Sequence, residues 1–225
     1  MMKLSSETLS VLQNFAKINK NLKFKEGNTL STISVSKTIL AKATISDQFP
    51  EDFCVYDLNE FLLVYNLNKD TEVEFDSTNI IFKSGRSKMK YRKTEPRLIV
   101  TPEKSVVLPS VDAQFTLTEE DYANVMKTAS VLRSPNISFE SDGSKILVTA
   151  FDQSNDSAHI QTTEIGDGNG TSFKAIFDTE NLKMIPGTYE VVVSFKGFAH
   201  FKNTKDDIQY WVAFEAKESK VSEWF

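Results

Sequence analysis

The sequence predicts an α+β protein of two similar domains, each built from two strand–helix–three-strand units. A junction of an aromatic residue followed by aspartate occurs at Tyr56-Asp57 and again at Phe177-Asp178. An amphipathic helix followed by alternating strands also occurs twice, once in each half of the 225 residues. We therefore interpret the two halves as copies of one domain.

An amphipathic helix begins each copy. In residues 5–18 the side chains of Val11, Leu12, Phe15 and Ile18 recur at helical spacing. Residues 118–132 repeat this design. The second helix also begins with a variant of the capping box, in which Thr118 is followed three residues later by Asp121 instead of the usual glutamate.

Alternating strands follow each helix. We predict a hairpin over 22–35 that turns at Gly27, and a second over 137–151 that turns at Gly143, because glycine beside Asn or Asp supplies the positive φ of tight turns. The remaining predicted strands are 38–46, 52–56, 71–76, 79–84 and 87–93 in the first half, and 157–165, 172–177, 188–196, 198–203 and 207–216 in the second.

The aspartate of each repeated junction is suited to begin a helix, because its carboxylate accepts hydrogen bonds from free N–H groups. We therefore predict two short helices, capped by Asp57 and Asp178. Pro186-Gly187 would end the second one.

The two halves differ in net charge. Residues 1–104 contain 16 lysines and arginines and 13 acidic residues, a net of +3, whereas residues 105–225 contain 10 and 18, a net of −8. We expect these to be the two domains, with a linker at about 101–110 that is bounded by two prolines.

Catalytic and metal-binding motifs are absent from the sequence. It contains no phosphate-binding GxxxxGK[ST], HExxH, CxxC or GxSxG pattern, and neither His159 nor His200 has a partner at metal spacing. Cys54 lies in an apolar run and is expected to be buried. With no apolar run of membrane-spanning length and no signal-peptide pattern, we expect a cytoplasmic protein that is not an enzyme and has no cofactor.

Four segments, in the same order along the chain, resemble the polymerase sliding clamps of T-even-type bacteriophages. They are MKLSSETLSVLQNFAKIN at 2–19, YDLNEF at 56–61, NLKMIPGTYEVVV at 181–193 and YWVAFEA at 210–216. The resemblance implies the DNA-clamp fold and a head-to-tail homotrimeric ring around double-stranded DNA. It also implies that the clamp tethers the replicative polymerase, is opened by a clamp loader in the infected host cell, and possesses the late-transcription role of T-even clamps.

The resemblance further implies that basic residues on the helices face DNA. Ser6 and Gln13 stand where the family has lysines, so this lining is expected to be less basic. An ordinary solvated helix face remains the alternative. The candidate DNA-facing residues are Lys3, Lys17, Lys20, Lys127, Arg133 and Lys183.

The most basic segment is the predicted strand 87–93. Lys88, Lys90 and Arg92 lie on one face of it. Three interpretations stay open: an edge strand charged against aggregation, a subunit contact, or a DNA contact. In sliding clamps the subunit contact is a strand pairing, so we predict that 87–93 of one subunit pairs with 157–164 of the next, near Asp156 and Glu164.

Sliding clamps accept a polymerase tail in an apolar pocket near the linker, although most apolar side chains in that region could equally belong to the core. The C-terminal Trp224-Phe225 either packs on the domain or serves a partner. The candidate pocket residues are Val106, Leu108, Tyr210, Trp211 and Phe214.

The function predicted from the sequence is therefore that of a sliding clamp that confers processivity on a DNA polymerase. A non-enzymatic phage structural protein, such as a capsid decoration protein, is the alternative, because it would share the strands and the missing motifs. An enzyme of unknown type is disfavoured.

Overall fold

The computed structural model describes residues 2–102, 106–215 and 219–222. It divides into two compact units, Met1–Lys104 and Ser105–Phe225. No helix in the described ranges is both long enough and apolar enough to cross a membrane.

Unit 1 consists of antiparallel strands and two helices. β1 pairs with β4, β2 pairs with β3, and β5, β6 and β7 form a sheet in that order. The elements are α1 (Ser6–Ile18), β1 (Leu22–Phe24), β2 (Gly27–Ile33), β3 (Ile39–Phe49), β4 (Phe53–Val55), α2 (Leu58–Tyr65), β5 (Glu72–Phe75), β6 (Asn79–Ser84), β7 (Ser87–Arg92) and a 3-10 turn at Pro96–Leu98.

The core of unit 1 is a cluster of phenylalanines. Phe24 stacks on Phe53 with ring centroids 4.4 Å apart and meets the edge of Phe49 at 4.8 Å. Phe61 of α2 meets Phe82 of β6 at 5.3 Å, so the same apolar interior holds the helix against the sheet.

Unit 2 contains one α-helix and two antiparallel sheets within the described residues. One sheet has the order β11-β10-β9-β12-β16, and the other contains β8, β13, β14 and β15 in that order. The elements are β8 (Ala113–Leu117), α3 (Glu119–Leu132), β9 (Asn136–Asp142), β10 (Lys145–Phe151), β11 (Gln161–Asp167), β12 (Ser172–Asp178), a 3-10 turn at Thr179–Asn181, β13 (Tyr189–Ser194), β14 (Phe198–Asn203), β15 (Ile208–Ala213) and β16 (Lys220–Ser222).

Aromatic side chains also fill the core of unit 2. Phe177 lies 5.7 Å from Phe139 and 5.9 Å from Phe201, between the two sheets. Phe177 belongs to the repeated junction, and Asp178 next to it caps the 3-10 turn by accepting a hydrogen bond from the Glu180 N–H. The junction therefore combines a core residue with a turn-forming carboxylate.

Most of the predicted elements are confirmed. Both long helices are present, and Asp57 caps α2 through the N–H groups of Asn59 and Glu60. The hairpin at Gly143 is formed by β9 and β10, and Gly143 has a φ of 98°.

The hairpin predicted over 22–35 is wrong. β1 pairs with β4, and β2 pairs with β3 through a turn that contains Lys37 at a φ of 60°. Gly27 does adopt a positive φ of 105°, but it redirects the chain between two different pairings. The glycine therefore correctly indicated a bend in the chain, but it did not indicate which strands pair.

The prediction of a second short helix after Asp178 is also wrong. Asp178 caps only a 3-10 turn, Thr179–Asn181. The strand that should precede the first helix is likewise reduced to a single bridge between Met2 and Val73, where unit 2 has the full strand β8. Among the described residues, each copy therefore lacks a different element of the predicted repeat.

Candidate nucleic-acid and subunit interfaces

The C-terminal end of α1 presents two of the predicted DNA-facing lysines to solvent. The Ser5 hydroxyl begins this helix by accepting a hydrogen bond from the Thr8 N–H. Lys17 lies exposed in the last turn, where the helix dipole favours a cation. Lys20 follows with its Nζ 5.3 Å from the centroid of the Tyr56 ring, a cation–π contact.

Lys3 lies at the opposite end of α1. Its Nζ is 3.1 Å from Asp70 Oδ1, and the hydrogen bond raises the pKa of Lys3. Exposed pairs of this kind are weak, so the ammonium can exchange Asp70 for a phosphate at little cost. A helix of 13 residues spans roughly 20 Å, which keeps Lys3 separate from Lys17.

The helix α3 presents Lys127 and ends at Arg133, and both side chains are exposed. The predicted N-cap is confirmed, because the Thr118 hydroxyl accepts from the Asp121 N–H. The Asp121 carboxylate accepts from the Thr118 hydroxyl and not from the Thr118 backbone N–H, so the pair differs from a full capping box. Arg133 is the C-cap in the left-handed conformation, with a φ of 55°. Three acidic residues fill the first turn, where the dipole favours them.

Lys183 lies on a segment that is fastened to α3. The Tyr122 hydroxyl is 2.9 Å from the Leu182 carbonyl and 3.0 Å from the Met184 carbonyl, and it accepts from the Met184 N–H at 3.1 Å. Burial raises the pKa of Tyr122 to about 12, so it stays neutral. Lys183 is half-buried, with its Nζ 2.7 Å from Glu180.

The described helices are not basic as a group. Ser6, Ser10 and Gln13 occupy the exposed face of α1 beside Lys17, so that face offers mostly neutral hydrogen-bond donors. Hydroxyl and amide groups contact phosphate oxygens without adding charge. The three α-helices carry the acidic residues Glu7, Glu60, Glu119, Glu120 and Asp121 and the basic residues Lys17 and Lys127.

The strand β7 is an edge of its sheet, because among the described residues it pairs only with β6. Lys88, Lys90 and Arg92 are all exposed along it. Tyr91, on the other face, donates a hydrogen bond to the Glu60 carboxylate at 3.1 Å and packs against Phe61 with centroids 6.0 Å apart. The inner face thus anchors the edge strand to α2.

At the basic residues of β7, the backbone N–H and C=O groups also point outward. The Lys93 N–H donates to the carbonyl of Thr78, the residue opposite it, at 3.0 Å. Hydrogen bonding alternates from residue to residue along an antiparallel pair. The N–H and C=O groups of Lys88, Lys90 and Arg92 therefore point away from β6, toward the open edge.

The strand β11 is the matching edge in unit 2, and among the described residues it pairs only with β10. It begins at Gln161 and not at residue 157, so the predicted strand 157–164 lies too early in the chain. Asp156 lies in the turn before β11. Lys145 of β10 contacts Glu164 and Asp167, each at 2.8 Å.

Sequence reasoning missed Lys145, which partly neutralises the acidic edge from within the same chain. This contact could be recognised only from the pairing of β10 with β11, which places Lys145 opposite Asp167. These contacts raise the pKa of Lys145 and lower that of Asp167. The acidic charge that β11 can offer to another chain is correspondingly reduced.

Two of the predicted pocket residues belong to the core, which corrects the expectation that they line an open pocket. Tyr210 is fully buried, and its hydroxyl accepts from the Ile185 N–H at 3.1 Å. Phe214 is also buried, between Phe177 at 5.7 Å and Phe195 at 5.5 Å.

The other three pocket candidates keep accessible surface. Trp211 is half-buried and stacks on His200 with centroids 4.7 Å apart. Val106 and Leu108 are half-buried in the segment before β8. The residues Trp224 and Phe225 lie outside the described residues.

Metal and thiol chemistry find no support in the described part of the chain. No group of three His, Cys, Asp or Glu side chains there could hold a metal ion. Cys54 is buried, and burial raises the pKa of its thiol, which disfavours the reactive thiolate.

Comparisons with known proteins assign the family. Residues 5–101 match the family model described as DNA polymerase processivity factor, and residues 114–216 match that described as gp45 sliding clamp, C terminal. The chain is 32% identical to the sliding clamp of Enterobacteria phage T4, over 96% of this chain and 97% of that protein. It is 29% identical to the sliding clamp of Vibrio phage KVP40, over 96% and 100%. The chain belongs to the DNA polymerase sliding clamps.

Solved structures confirm the fold of this sliding clamp. PCNA from Thermococcus kodakaraensis matches with a TM-score of 0.70 at 15% identity, over 95% of this chain and 98% of that chain. The Helicobacter pylori beta clamp in complex with diflunisal matches with a TM-score of 0.68 at 11% identity, over 96% of this chain and 68% of that one. The predicted DNA-clamp fold is therefore confirmed, and the protein is a phage processivity factor of a family that is non-catalytic and acts with DNA and polymerase.

Proposed function

We propose that three copies of this sliding clamp close into a ring around double-stranded DNA and hold the phage polymerase on its template. The observation that carries the proposal is the pair of open edges, β7 in unit 1 and β11 in unit 2. A head-to-tail ring needs two different surfaces on each subunit. The basic side chains and outward backbone groups of β7 suit pairing with the acidic β11 of the next copy.

The two units, 1–104 and 105–225, act in this proposal as the two clamp domains of each subunit. The exposed cations of α1 and α3 face the duplex and contact phosphates loosely, because a clamp must slide and cannot read bases. The helices carry few cations, which is consistent with this role because weak attraction to DNA leaves the ring free to move. Encirclement, and not affinity, keeps the clamp on DNA.

We propose that the polymerase docks by a short peptide on unit 2, near Val106, Leu108 and Trp211, which retain accessible apolar surface. A clamp loader would open the ring at one β7–β11 contact. The clamp would act in the cytoplasm of the infected host without catalysis of its own. Its relatedness to the T4 clamp supports a further role in late transcription, measurable as stimulation of a phage late promoter in a purified system.

Retention on circular DNA tests the proposal. The clamp is loaded onto nicked circular DNA and passed over a sizing column before and after a restriction enzyme linearises the circle. Topological binding predicts co-elution with the circle and release after cutting. Blocking both ends of the linear DNA with bound protein should restore retention.

The alternative function, a phage decoration protein, predicts a different result. Such a protein has no reason to distinguish a circle from a linear duplex. Equal retention on both forms, or no retention on either in the presence of the loader, would count against the ring.

A further inference from the structure

Two of the candidate DNA-facing lysines lie in segments without helical structure. Lys3 precedes α1, and Lys183 follows the 3-10 turn at Thr179–Asn181. The backbone of a helix is held by its own hydrogen bonds, whereas the N–H and C=O groups of an irregular segment need other partners. The positions of these two lysines therefore depend on contacts from elsewhere in the fold.

In unit 1 the backbone next to Lys3 is held by a tyrosine of α2. The Leu4 N–H donates to the Tyr65 hydroxyl at 3.0 Å, and this hydroxyl donates to the Leu4 carbonyl at 3.3 Å. On the other side of Lys3, Met2 and Val73 exchange two backbone hydrogen bonds of 3.0 and 2.8 Å. Leu4 and Tyr65 are buried, whereas Lys3 is exposed. Both neighbours of Lys3 are therefore fixed while its ammonium stays accessible.

In unit 2 a tyrosine of α3 holds the backbone on both sides of Lys183. The Tyr122 hydroxyl lies 2.9 Å from the Leu182 carbonyl and 3.0 Å from the Met184 carbonyl. The Met184 N–H donates to the same hydroxyl at 3.1 Å. Leu182 and Met184 are buried, and Lys183 between them is half-buried, so its neighbours anchor the segment to the core.

Two further tyrosine hydroxyls end on the same segment of unit 2. The Ile185 N–H donates to the Tyr210 hydroxyl at 3.1 Å, and the Tyr189 hydroxyl donates to the Ile185 carbonyl. Both tyrosines are fully buried. The segment follows the repeated junction, as α2 does in unit 1, so side-chain hydroxyls here take the place of helical hydrogen bonds.

Each of the two lysines also has an exposed acidic partner. Lys3 Nζ lies 3.1 Å from Asp70, and Lys183 Nζ lies 2.7 Å from Glu180. Exposed pairs of this kind contribute little, so a phosphate can replace the carboxylate. The acidic partners therefore hold the ammonium groups weakly, whereas the tyrosines hold the backbone that carries them.

Burial alone does not explain where these hydroxyls end. A buried tyrosine hydroxyl needs a partner, but any unpaired carbonyl nearby would satisfy it. In both units the partner is a residue adjacent to a candidate DNA-facing lysine, although the tyrosine comes from α2 in one unit and from α3 in the other. A cation on a fixed backbone loses less conformational freedom on contacting phosphate than one on a mobile loop.

Resting on the proposed ring around DNA, we propose that Tyr65 and Tyr122 are positioning residues for the contact with DNA. Each hydroxyl fixes the backbone beside one lysine, Tyr65 for Lys3 and Tyr122 for Lys183, so that the ammonium meets the phosphates from a set position. The tyrosines themselves do not touch DNA, because they are buried. This arrangement strengthens a sparse set of cations without adding charge.

Two double-mutant cycles test the positioning role. Association of the clamp with a linear duplex, onto which a ring can thread, is measured by fluorescence anisotropy for Tyr122→Phe, Lys183→Ala and the double variant. Tyr122→Phe should weaken association roughly two- to tenfold, which corresponds to the cost of immobilising one long side chain. In the Lys183→Ala background the same change should have no further effect on association. The second cycle uses Tyr65→Phe and Lys3→Ala in the same way.

The crossed combinations are the matched controls. Tyr122→Phe should keep its full effect on DNA association in the Lys3→Ala background, and Tyr65→Phe should keep its effect in the Lys183→Ala background, because each hydroxyl serves the lysine of its own unit. Urea titration of every variant separates folding from DNA contact. Each tyrosine change should lower the free energy of unfolding equally whether or not its lysine is present.

The outcomes distinguish this inference from the proposed ring. If neither tyrosine change weakens DNA association, or if its effect is the same in every lysine background, the tyrosines are structural only; the inference is overturned and the ring stays. Retention on circular DNA with no effect of either lysine on association would also overturn it. A wild-type clamp that fails the circular-DNA test would remove the ring and the inference together. The two cycles are independent, so a tyrosine variant that does not fold leaves the decision to the other unit.

Discussion

Reversing the charge of the β7 edge should loosen the ring in a way that depends on salt. The variant Lys88→Glu/Lys90→Glu/Arg92→Glu changes three side chains that are exposed to solvent, so unit 1 should fold normally. Their backbone groups remain free to pair. Only the electrostatic part of the contact is altered.

The magnitude follows from the exposure of these side chains. Each exposed pair contributes about 0.5 kcal/mol, and reversal replaces attraction by repulsion, so three reversals should cost about 2–3 kcal/mol at low salt. That corresponds to a rise in dissociation constant of roughly 30- to 150-fold. The figure cannot be much larger, because Lys145 already offsets Glu164 and Asp167 on the opposing edge.

Sedimentation of this variant at two salt concentrations provides the assay. The screening length falls from about 10 Å at 0.1 M to about 3 Å at 1 M, so the trimer should dissociate at low salt and recover at high salt. The control reverses Lys25, Lys37 and Lys196, which are exposed elsewhere and give the same change in net charge. An intact trimer of the β7 variant at both salt concentrations would refute the assignment of this strand to the interface.

Three further predictions concern DNA, polymerase and stability. Replacing Lys17, Lys127 and Lys183 together by alanine should weaken loading and flatten the salt dependence of DNA association, measured by titration at several salt concentrations; an unchanged slope would exclude these lysines from the lining. Leu108→Asp should abolish polymerase stimulation while sedimentation still shows the assembled ring, and full stimulation would place the docking site elsewhere. Tyr122→Phe should lower the free energy of unfolding by about 1–3 kcal/mol in urea titration, because it removes the buried hydrogen bonds of the Tyr122 hydroxyl to the Leu182 and Met184 carbonyls.

The sequence by itself determined the local elements and the family. Helix periodicity, the caps at Asp57 and Thr118, and alternating strands depend on neighbours within a few residues, so each could be read from the chain. The resemblance of four ordered segments identified the clamp, and the family models confirm it.

Strand partners were decided by the tertiary structure. Gly27 provides a bend whichever strands it separates, and only packing of the phenylalanine core pairs β1 with β4. Asp178 caps a 3-10 turn, whereas Asp57 caps the helix α2. The segment after Asp178 is held by the Tyr122 hydroxyl and does not continue as a helix.

The candidate sites show the same division. Lys88, Lys90 and Arg92 share a face because strands alternate, so the sequence placed them together. Whether β7 is an edge, whether Tyr210 is buried and whether Lys145 reaches Glu164 depend on residues far apart in the chain. Burial and strand pairing depend on which residues the folded chain brings opposite each other. This register between distant segments is not evident from a single sequence.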